Sequence, residues 1–301
     1  MVRGRPGGAG EIGTRVYPSE EMNREQGLDV RTWIKEGLVD FVVPFLYTSP
    51  NLDPDPPIDW LIQAAHEADI SVYGVLHQSV RCEDTWSGER TVPMKTYATP
   101  EIMRAAAANY WERGVDGLYT WFMPWPLGPQ QRGMLTEIGD PDLIKEGNKR
   151  YVLCRRAMQA DGPSYAVHLP LELHSSNLGR RHSIPFFIAD DIQEAPDRIR
   201  QVLLRINISN VVTQDSFSIC LNGASLENET CLREFGRRDS PRGQWLEFHL
   251  ENLRPVKGRN LLEIALEQRP AGLEGSVVVE EVEIYVEFGP HPTGLNPAKA
   301  Q

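Results

Sequence analysis

The stretch VDFVVPFLY, residues 39–47, is an apolar run that ends in a proline and two aromatic residues. A run with so little polar alternation is typical of a strand that is buried on both faces, as in a parallel sheet. The stretch DGLYTWFM, residues 116–123, repeats the pattern, and in both places a glycine and one or two aliphatic residues precede an aspartate. The repetition predicts a recurring β/α unit.

Helical segments separate these two runs from two further apolar strands, predicted in GTRVYP (13–18) and ISVYGVLHQ (70–78). Asp29 and Thr99 stand where helix caps are expected, and a last helix is predicted over residues 140–160. Four parallel strands form either an open sheet or half of an eight-stranded barrel. No glycine-rich dinucleotide loop follows any of the strands, which weakens the open nucleotide-binding alternative.

The chain changes character near residue 162, after which short strands alternate apolar and polar residues. RQVLLRINIS (200–209) and DSFSICLNG (215–223) are examples, and Asn222-Gly223 has the composition of a hairpin turn. We therefore predict a β/α domain over residues 1–162 and an antiparallel β-sandwich of the jelly-roll kind over residues 163–301.

Composition excludes several classes of function. The 301 residues carry a net charge of −11, which argues against nucleic-acid binding because phosphate contacts need a basic surface. No apolar run approaches the roughly 20 residues of a membrane span, and the basic, glycine-rich start has no apolar core of a secretory signal. No cluster of residues has metal-ligand spacing, so neither a metal nor a cofactor is predicted. Cys220 and Cys231 are close enough in sequence for a disulfide, which stays open.

Aromatic residues collect where the predicted parallel strands end. Tyr47 and Trp121 lie at strand ends, and Trp86 lies in a long predicted loop after the third strand. Parallel strands bring their carboxyl ends to one edge of the sheet, and sugars stack on aromatic rings. These positions therefore predict a carbohydrate site. The tryptophans on predicted helices are interpreted as packing residues: Trp33, Trp60 and Trp111.

The segments GLDVRTWIKEGLVDFVVPFLY (27–47) and RGVDGLYTWFM (113–123) resemble bacterial glycosyl-hydrolase-like barrel proteins, which are similar to family 10 glycosyl hydrolases. The resemblance covers about residues 13–160. It implies that the four strands are strands five to eight of a TIM-type (β/α)8 barrel, its C-terminal half, and that the later domain is an accessory β-sandwich. It also implies substrate-binding roles for Tyr47 and Trp121.

Hydrolysis of a glycosidic bond needs two carboxylates, one acid and one base or nucleophile. In the relatives the nucleophile lies at the end of strand seven, where this chain has His77. Their general acid lies at the end of strand four, and this sequence is expected to begin just before strand five. Glu83 and Asp84 lie in the predicted loop after strand seven, residues 70–78, and are the leading catalytic candidates. Glu21 is the next candidate. His77 and Asn23 are predicted to hold sugar hydroxyls, with hydrogen-bonded structural roles as the alternative.

Two functions follow from these residues. The first is a glycoside-hydrolase-like protein, a partial chain that acts on a polysaccharide. The alternative is a protein that binds carbohydrate or another partner without catalysis. A half-barrel exposes two sheet edges, which predicts self-association or pairing with a missing N-terminal half. In the later domain Trp245 is predicted to face outward, where it would form a second sugar site or a docking contact.

Overall fold

The computed structural model describes residues 10–46, 51–87, 90–121, 123, 126–154, 168–193, 196–237 and 240–289. Within these ranges the side chains of residues 81–87, 90–96, 154, 235–237 and 240–242 are not described. The chain divides into two compact units. Of the described residues, the first unit contains those up to Pro141, and the second contains residues 142–154 and those from His168 onward. In the described ranges, no helix has the length and apolar character needed to cross a membrane.

The first unit alternates strands and helices. Its strands are β1 Gly13–Val16, β2 Phe41–Pro44, β3 Ser71–His77, β4 Ser79–Ser87, β5 Arg90–Tyr97 and β6 Gly117–Trp121. Its helices are α1 Glu20–Glu25, α2 Val30–Lys35, α3 Asp59–His66, α4 Pro100–Glu112 and α5 Pro129–Ile138, and the short helix α6, Pro141–Ile144, follows at the border.

Four of these strands form a parallel sheet in the order β1-β2-β3-β6. The predicted parallel strands are thus confirmed, as are the helix caps, because Asp29 accepts a hydrogen bond from the amide of Thr32 and Thr99 from the amide of Ile102. The predicted long loop after the third strand is wrong. That segment is an antiparallel hairpin of β4 and β5, which satisfies backbone groups that a loop of this length would leave to water.

The repeated aspartate before two of the strands ties neighbouring strands together. An Asp40 carboxylate oxygen accepts a hydrogen bond from the amide of Ile12 at 2.7 Å, just before β1. An Asp116 oxygen accepts one from the amide of Val72 in β3 at 2.8 Å. Each aspartate precedes its own strand and holds the start of the strand beside it, so the repeated motif fixes the alignment of the sheet.

Helix α4 packs closely on β3 at a glycine. A Cβ atom at Gly74 would lie 2.5 Å from the ring of Tyr110, so only glycine permits this approach. Two helix tryptophans also have structural partners: the indole N–H of Trp60 donates to Pro18 O at 2.7 Å, and that of Trp111 donates to Ile138 O at 2.9 Å. These contacts support the packing role that the sequence indicated for both residues.

The second unit consists of antiparallel strands. They are β7 Lys149–Cys154, β8 Leu171–Leu173, β9 His182–Ile188, β10 Ile199–Ser209, β11 Ser216–Leu221, β12 Ala224–Ser225, β13 Thr230–Arg237, β14 Ser240–His249, β15 Gly258–Gln268 and β16 Val277–Phe288. One sheet has the order β13-β14-β10-β16-β7, with β8 also paired to β16, and the other has the order β12-β11-β15-β9. Asn222 and Gly223 form the turn between β11 and β12 with positive φ angles of 51° and 83°, as the sequence predicted.

The helix predicted over residues 140–160 is wrong. In the described part of this segment, residues 140–154, the one helix is the short α6, and β7 follows it and pairs with β16. The physical reason is a buried side chain: Lys149 is fully buried, and its ammonium group lies 2.8 Å from a carboxylate oxygen of Asp190. A partner so distant in sequence stabilises the strand and cannot be detected in a local pattern.

Lys149 belongs to a buried polar network. Its ammonium group donates to Lys145 O and Gly147 O, both at 3.2 Å. The hydroxyl of Tyr151 donates to the other carboxylate oxygen of Asp190 at 2.9 Å. Burial raises the pKa of Asp190 against the opposing effect of Lys149. Burial and the Asp190 charge raise the pKa of Tyr151.

Two expectations for the second unit are corrected. Trp245 does not face solvent: it is 1% exposed, so it is not a surface platform for a sugar. Residues on both faces of β14 are buried, including Leu246 and Glu247, and alternation alone could not reveal that. Cys220 and Cys231 are both free thiols, the first buried and the second exposed, so they form no disulfide.

Candidate functional site

A cavity that is partly open to solvent lies where the parallel strands end. The residues that line it come from the ends of β2 and β3, the segments that follow β1 and β2, and helix α4. They are Pro18, Pro44, Phe45, Leu46, Asn51, Asp53, Pro56, Val75, His77 and Tyr110. Walls of proline and aromatic rings with a few polar groups are typical of small-molecule sites. We call this cavity the strand-end pocket.

Hydrogen bonds hold the segment after β2 against the pocket. The amide of Leu52 donates to Ser79 O at 2.6 Å. From α4, the hydroxyl of Tyr110 donates to Asp53 O at 3.1 Å, and the side-chain amide of Asn109 donates to Pro54 O at 3.1 Å. The polar residues of this segment are therefore fixed in position before any ligand arrives, which favours binding.

Asn51 is the most unusual residue of the strand-end pocket. Both polar atoms of its side-chain amide are buried, and neither has a hydrogen-bond partner among the residues that the structure describes. A buried polar group in this state costs about 1–3 kcal/mol. A ligand or water with hydroxyl groups would remove that cost, since the amide both donates and accepts.

His77 and Asp53 add an imidazole and a carboxylate to the same pocket. His77 ends β3 and is 4% exposed, and its Nδ1 accepts a hydrogen bond from the amide of Ser79 at 3.3 Å. In the neutral ring the proton then lies on Nε2, which is a donor. Asp53 is half-buried and accepts a hydrogen bond from the amide of Asp55 at 3.0 Å.

Beside the pocket, four side chains form what we call the aromatic face: Arg15, Phe45, Tyr119 and Trp121. The Phe45 and Trp121 ring centroids are 4.9 Å apart, and those of Tyr119 and Trp121 are 5.9 Å apart. The guanidinium carbon of Arg15 lies 4.9 Å from the Trp121 ring centroid and 5.9 Å from that of Phe45. Arg15 and Trp121 belong to the two edge strands, so this contact spans the width of the sheet.

Trp121, predicted to bind substrate, is thus close to His77, its partner in the β3–β6 register. Because Arg15 covers its ring, Trp121 offers less open surface for a stacked sugar than the sequence suggested. Asn23 is 1% exposed, and its amide bonds only to backbone in the described contacts: it donates to Tyr17 O and Ser19 O and accepts from the amide of Tyr17. This geometry favours the structural role for Asn23.

The remaining predicted residues are not brought into the pocket by any described contact. Glu21 lies on the exposed surface of α1 and does not line the pocket. Glu83, Asp84 and Trp86 lie on β4 rather than in a loop, and their side chains are outside the described part of the chain. Tyr47 is likewise outside the described residues.

The pocket lining contains one carboxylate, that of Asp53, among the side chains that the structure describes. Hydrolysis of a glycoside by the common mechanisms requires two. The described residues also include no group of three or more His, Cys, Asp or Glu side chains that could hold a metal ion. What this part of the site provides is hydrogen bonding and apolar contact.

No family model matches the chain, and no curated protein is significantly similar to it in sequence. The site must therefore be interpreted from its own geometry. Asn51, Asp53 and Arg15 are not among the candidate site residues predicted from the sequence. The available signal was position, because Asn51 and Asp53 follow a parallel strand and Arg15 is a charged residue within one.

Proposed function

We propose that this chain is a glycoside-hydrolase-like protein whose strand-end pocket binds a carbohydrate. A sugar presents hydroxyl groups around its edge and apolar C–H surfaces on its faces. The pocket matches both: Asn51, Asp53 and His77 supply hydrogen-bonding groups, and Phe45 supplies a ring at the wall. The match depends on residues of the first unit alone.

The fold proposed with this function is the C-terminal half of a TIM-type barrel followed by a β-sandwich of the jelly-roll kind. Support comes from the parallel order β1-β2-β3-β6 and from the two antiparallel sheets of the second unit. In a half-barrel the edge strands β1 and β6 would be the positions at which a second chain could pair.

The observation that carries the proposal is the buried amide of Asn51, which has no described partner. Burying such a group costs free energy, and leucine of similar size would fill the space at lower cost. A ligand rich in hydroxyl groups would offset that cost.

The test is a binding assay of the purified chain against a panel of immobilised polysaccharides, followed by titration calorimetry with the oligosaccharide that is retained. Asn51→Leu should lose at least tenfold in affinity. Gln63→Ala, a change in a side chain of α3 outside the pocket lining, is the matched control and should bind as the unmodified chain does. Retention of no polysaccharide, or equal affinity of Asn51→Leu, would contradict the proposal.

Hydrolysis is the second candidate function. The observation that favours it is the start of β4 at Ser79, two residues after His77, so the strand that carries Glu83 and Asp84 leaves from the rim of the pocket. One of these carboxylates together with Asp53 would complete a pair. Release of reducing sugar by the unmodified chain, and its loss in Asp53→Asn together with Glu83→Gln or Asp84→Asn, would support hydrolysis. Binding without release would limit the function to recognition.

A further inference from the structure

We propose that Arg15 directs the carbohydrate site toward acidic saccharides, by pairing with the carboxylate of a uronic acid residue. The inference rests on the proposed carbohydrate function and narrows the class of sugar. It starts from the aromatic face, whose charged member is Arg15.

The guanidinium group of Arg15 lies over two rings of the aromatic face. The guanidinium carbon lies 4.9 Å from the Trp121 centroid and 5.9 Å from the Phe45 centroid, within cation–π range. A guanidinium group that lies over an aromatic ring can still donate hydrogen bonds through its N–H groups. An arginine held in this way loses little further freedom when it pairs with a planar carboxylate through two parallel hydrogen bonds.

Arg15 is close enough to the strand-end pocket to act on the same ligand. Phe45 belongs to both places, since it lines the pocket and lies beneath the guanidinium group. Arg15 is exposed, so a bound saccharide can reach it from solvent. When one sugar ring occupies the pocket, the next ring of the same saccharide would extend over Phe45 toward Arg15.

The charge of the whole protein makes this residue necessary for an acidic ligand. The net charge of −11 opposes the approach of an anion. At physiological ionic strength, charges farther away than about 8 Å are largely screened, so a contact pair with Arg15 can outweigh the distant charges. Affinity for an acidic sugar should therefore decrease as salt is added, whereas affinity for a neutral sugar should not.

The experiment compares two trisaccharides by titration calorimetry with the full chain, one of galacturonic acid and one of galactose. They share the ring and differ in the carboxylate at carbon 6. We expect the acidic trisaccharide to bind about tenfold more tightly at low salt, which corresponds to one charged hydrogen-bonded contact at a partly exposed site. A trisaccharide of galactose that carries sulfate groups is the third probe.

Three variants locate the effect. Arg15→Gln should abolish the preference for the acidic trisaccharide, and Arg15→Lys should retain part of it because the charge stays while the planar donor set is lost. Arg31→Gln is the matched control. The Arg31 guanidinium also lies over a tryptophan, 5.4 Å from the ring of Trp60, but both residues are on helices and neither lines the pocket.

Equal affinity for the acidic and neutral trisaccharides would overturn the role of Arg15 and leave the carbohydrate function standing. Tighter binding of the sulfated probe than of the galacturonic acid probe would overturn the assignment to a carboxylate. If folded Arg15→Gln keeps the preference for the acidic trisaccharide, the assignment of that preference to Arg15 is overturned. If neither these probes nor any polysaccharide binds, the proposed function fails, and this inference fails with it. If Arg15→Gln does not fold, the salt dependence of the unmodified chain tests the proposal: affinity for the acidic trisaccharide that does not decrease with added salt would overturn the charged contact.

Discussion

The buried ions of the second unit and the buried amide in the pocket of the first unit differ in their partners, although the second unit also holds buried polar atoms without a described partner, such as Trp245 Nε1. In the second unit the described buried ions lie against groups of opposite charge or hydrogen-bond donors: Lys149 with Asp190, Arg269 with Asp215 at 2.7 Å, and Glu229 with three backbone amides. In the first unit the amide of Asn51 is buried without a described partner, and the exposed Arg15 lies over the rings of Phe45 and Trp121.

The difference separates polar groups that stabilise the fold from polar groups that are available to a ligand. A fully satisfied buried network makes a unit rigid but has nothing left to offer a ligand. A group left unsatisfied lowers stability and gains from binding. If this distinction is correct, substitutions in the second unit should change stability alone, and substitutions at the strand-end pocket should change binding and stability in opposite directions.

The largest effect is expected at the buried ion pair. Lys149→Met should destabilise the chain by about 3–5 kcal/mol, because the charge of Asp190 remains buried without its cation. Denaturant unfolding followed by fluorescence and circular dichroism measures the change. The double variant Lys149→Met with Asp190→Asn should recover at least half of the loss, since it leaves no unpaired charge and keeps an acceptor for Tyr151. A loss below about 1 kcal/mol in the single variant would contradict the importance of the pair.

A smaller loss is expected at Glu229. Its carboxylate accepts hydrogen bonds from the amides of Glu251, Asn252 and Leu253 at 2.7, 3.0 and 2.9 Å and so closes the turn after β14. Glu229→Ala should cost about 2 kcal/mol and Glu229→Gln about half of that, because the single amide oxygen can replace one of the two accepting carboxylate oxygens and carries no charge. Faster hydrogen exchange at residues 251–253 in both variants is the second measurement. Unchanged exchange would show that the turn forms without Glu229.

The third prediction has the opposite sign and tests the first unit. Asn51→Leu should stabilise the free protein by about 1 kcal/mol, since it removes a buried amide without a described partner and keeps the side-chain volume. The same variant should lose carbohydrate binding. Thermal unfolding with and without the ligand measures both effects. Destabilisation together with intact binding would make Asn51 an ordinary structural residue and would remove the contrast between the units.

The smallest effect concerns pH and the second unit. Burial, with the nearby charges of Arg180 and His174, lowers the pKa of His182 below its ordinary value of 6.5. The unfolded chain therefore binds a proton at His182 more tightly than the folded chain does. The contribution of His182 to the free energy of unfolding is complete above pH 6.5 and declines as the pH falls below that value. We expect the stability lost between about pH 7.5 and about pH 5.5 to be smaller in His182→Gln than in the unmodified chain. Identical losses would contradict the prediction.

Local patterns predicted much of this fold. The apolar strands that end at Pro44 and Trp121, the cap at Asp29 and the turn at Asn222 each depend on residues adjacent in sequence, and each is present. The strand Lys149–Cys154 was not predicted, because its stability depends on Asp190 and β16, which are remote in sequence.

The candidate site was predicted less well, for a related reason. The position of the site at the carboxyl ends of parallel strands follows from topology, and His77 lies there as expected. Which polar groups face the pocket depends on how the segment after β2 is held by Tyr110 and Asn109 from α4. Asn51 therefore could not be distinguished from an ordinary loop amide without the structure. The Ser87-Gly88 turn signal within residues 79–97 was in the sequence, and it could have identified the hairpin.

The pairing of β7 with β16 has a consequence for how the chain folds during synthesis. The ribosome makes β7 first among the strands of the second unit and makes its partner, β16, last of them. Because β16 lies between β10 and β7 and also pairs with β8, neither β7 nor β8 has its described partner until residues 277–288 have emerged. The first unit can fold while synthesis continues, whereas the second must wait for its final strand. A ribosome stalled just before Val277 would therefore hold a folded sheet of the first unit and an edge of unpaired strands from the second.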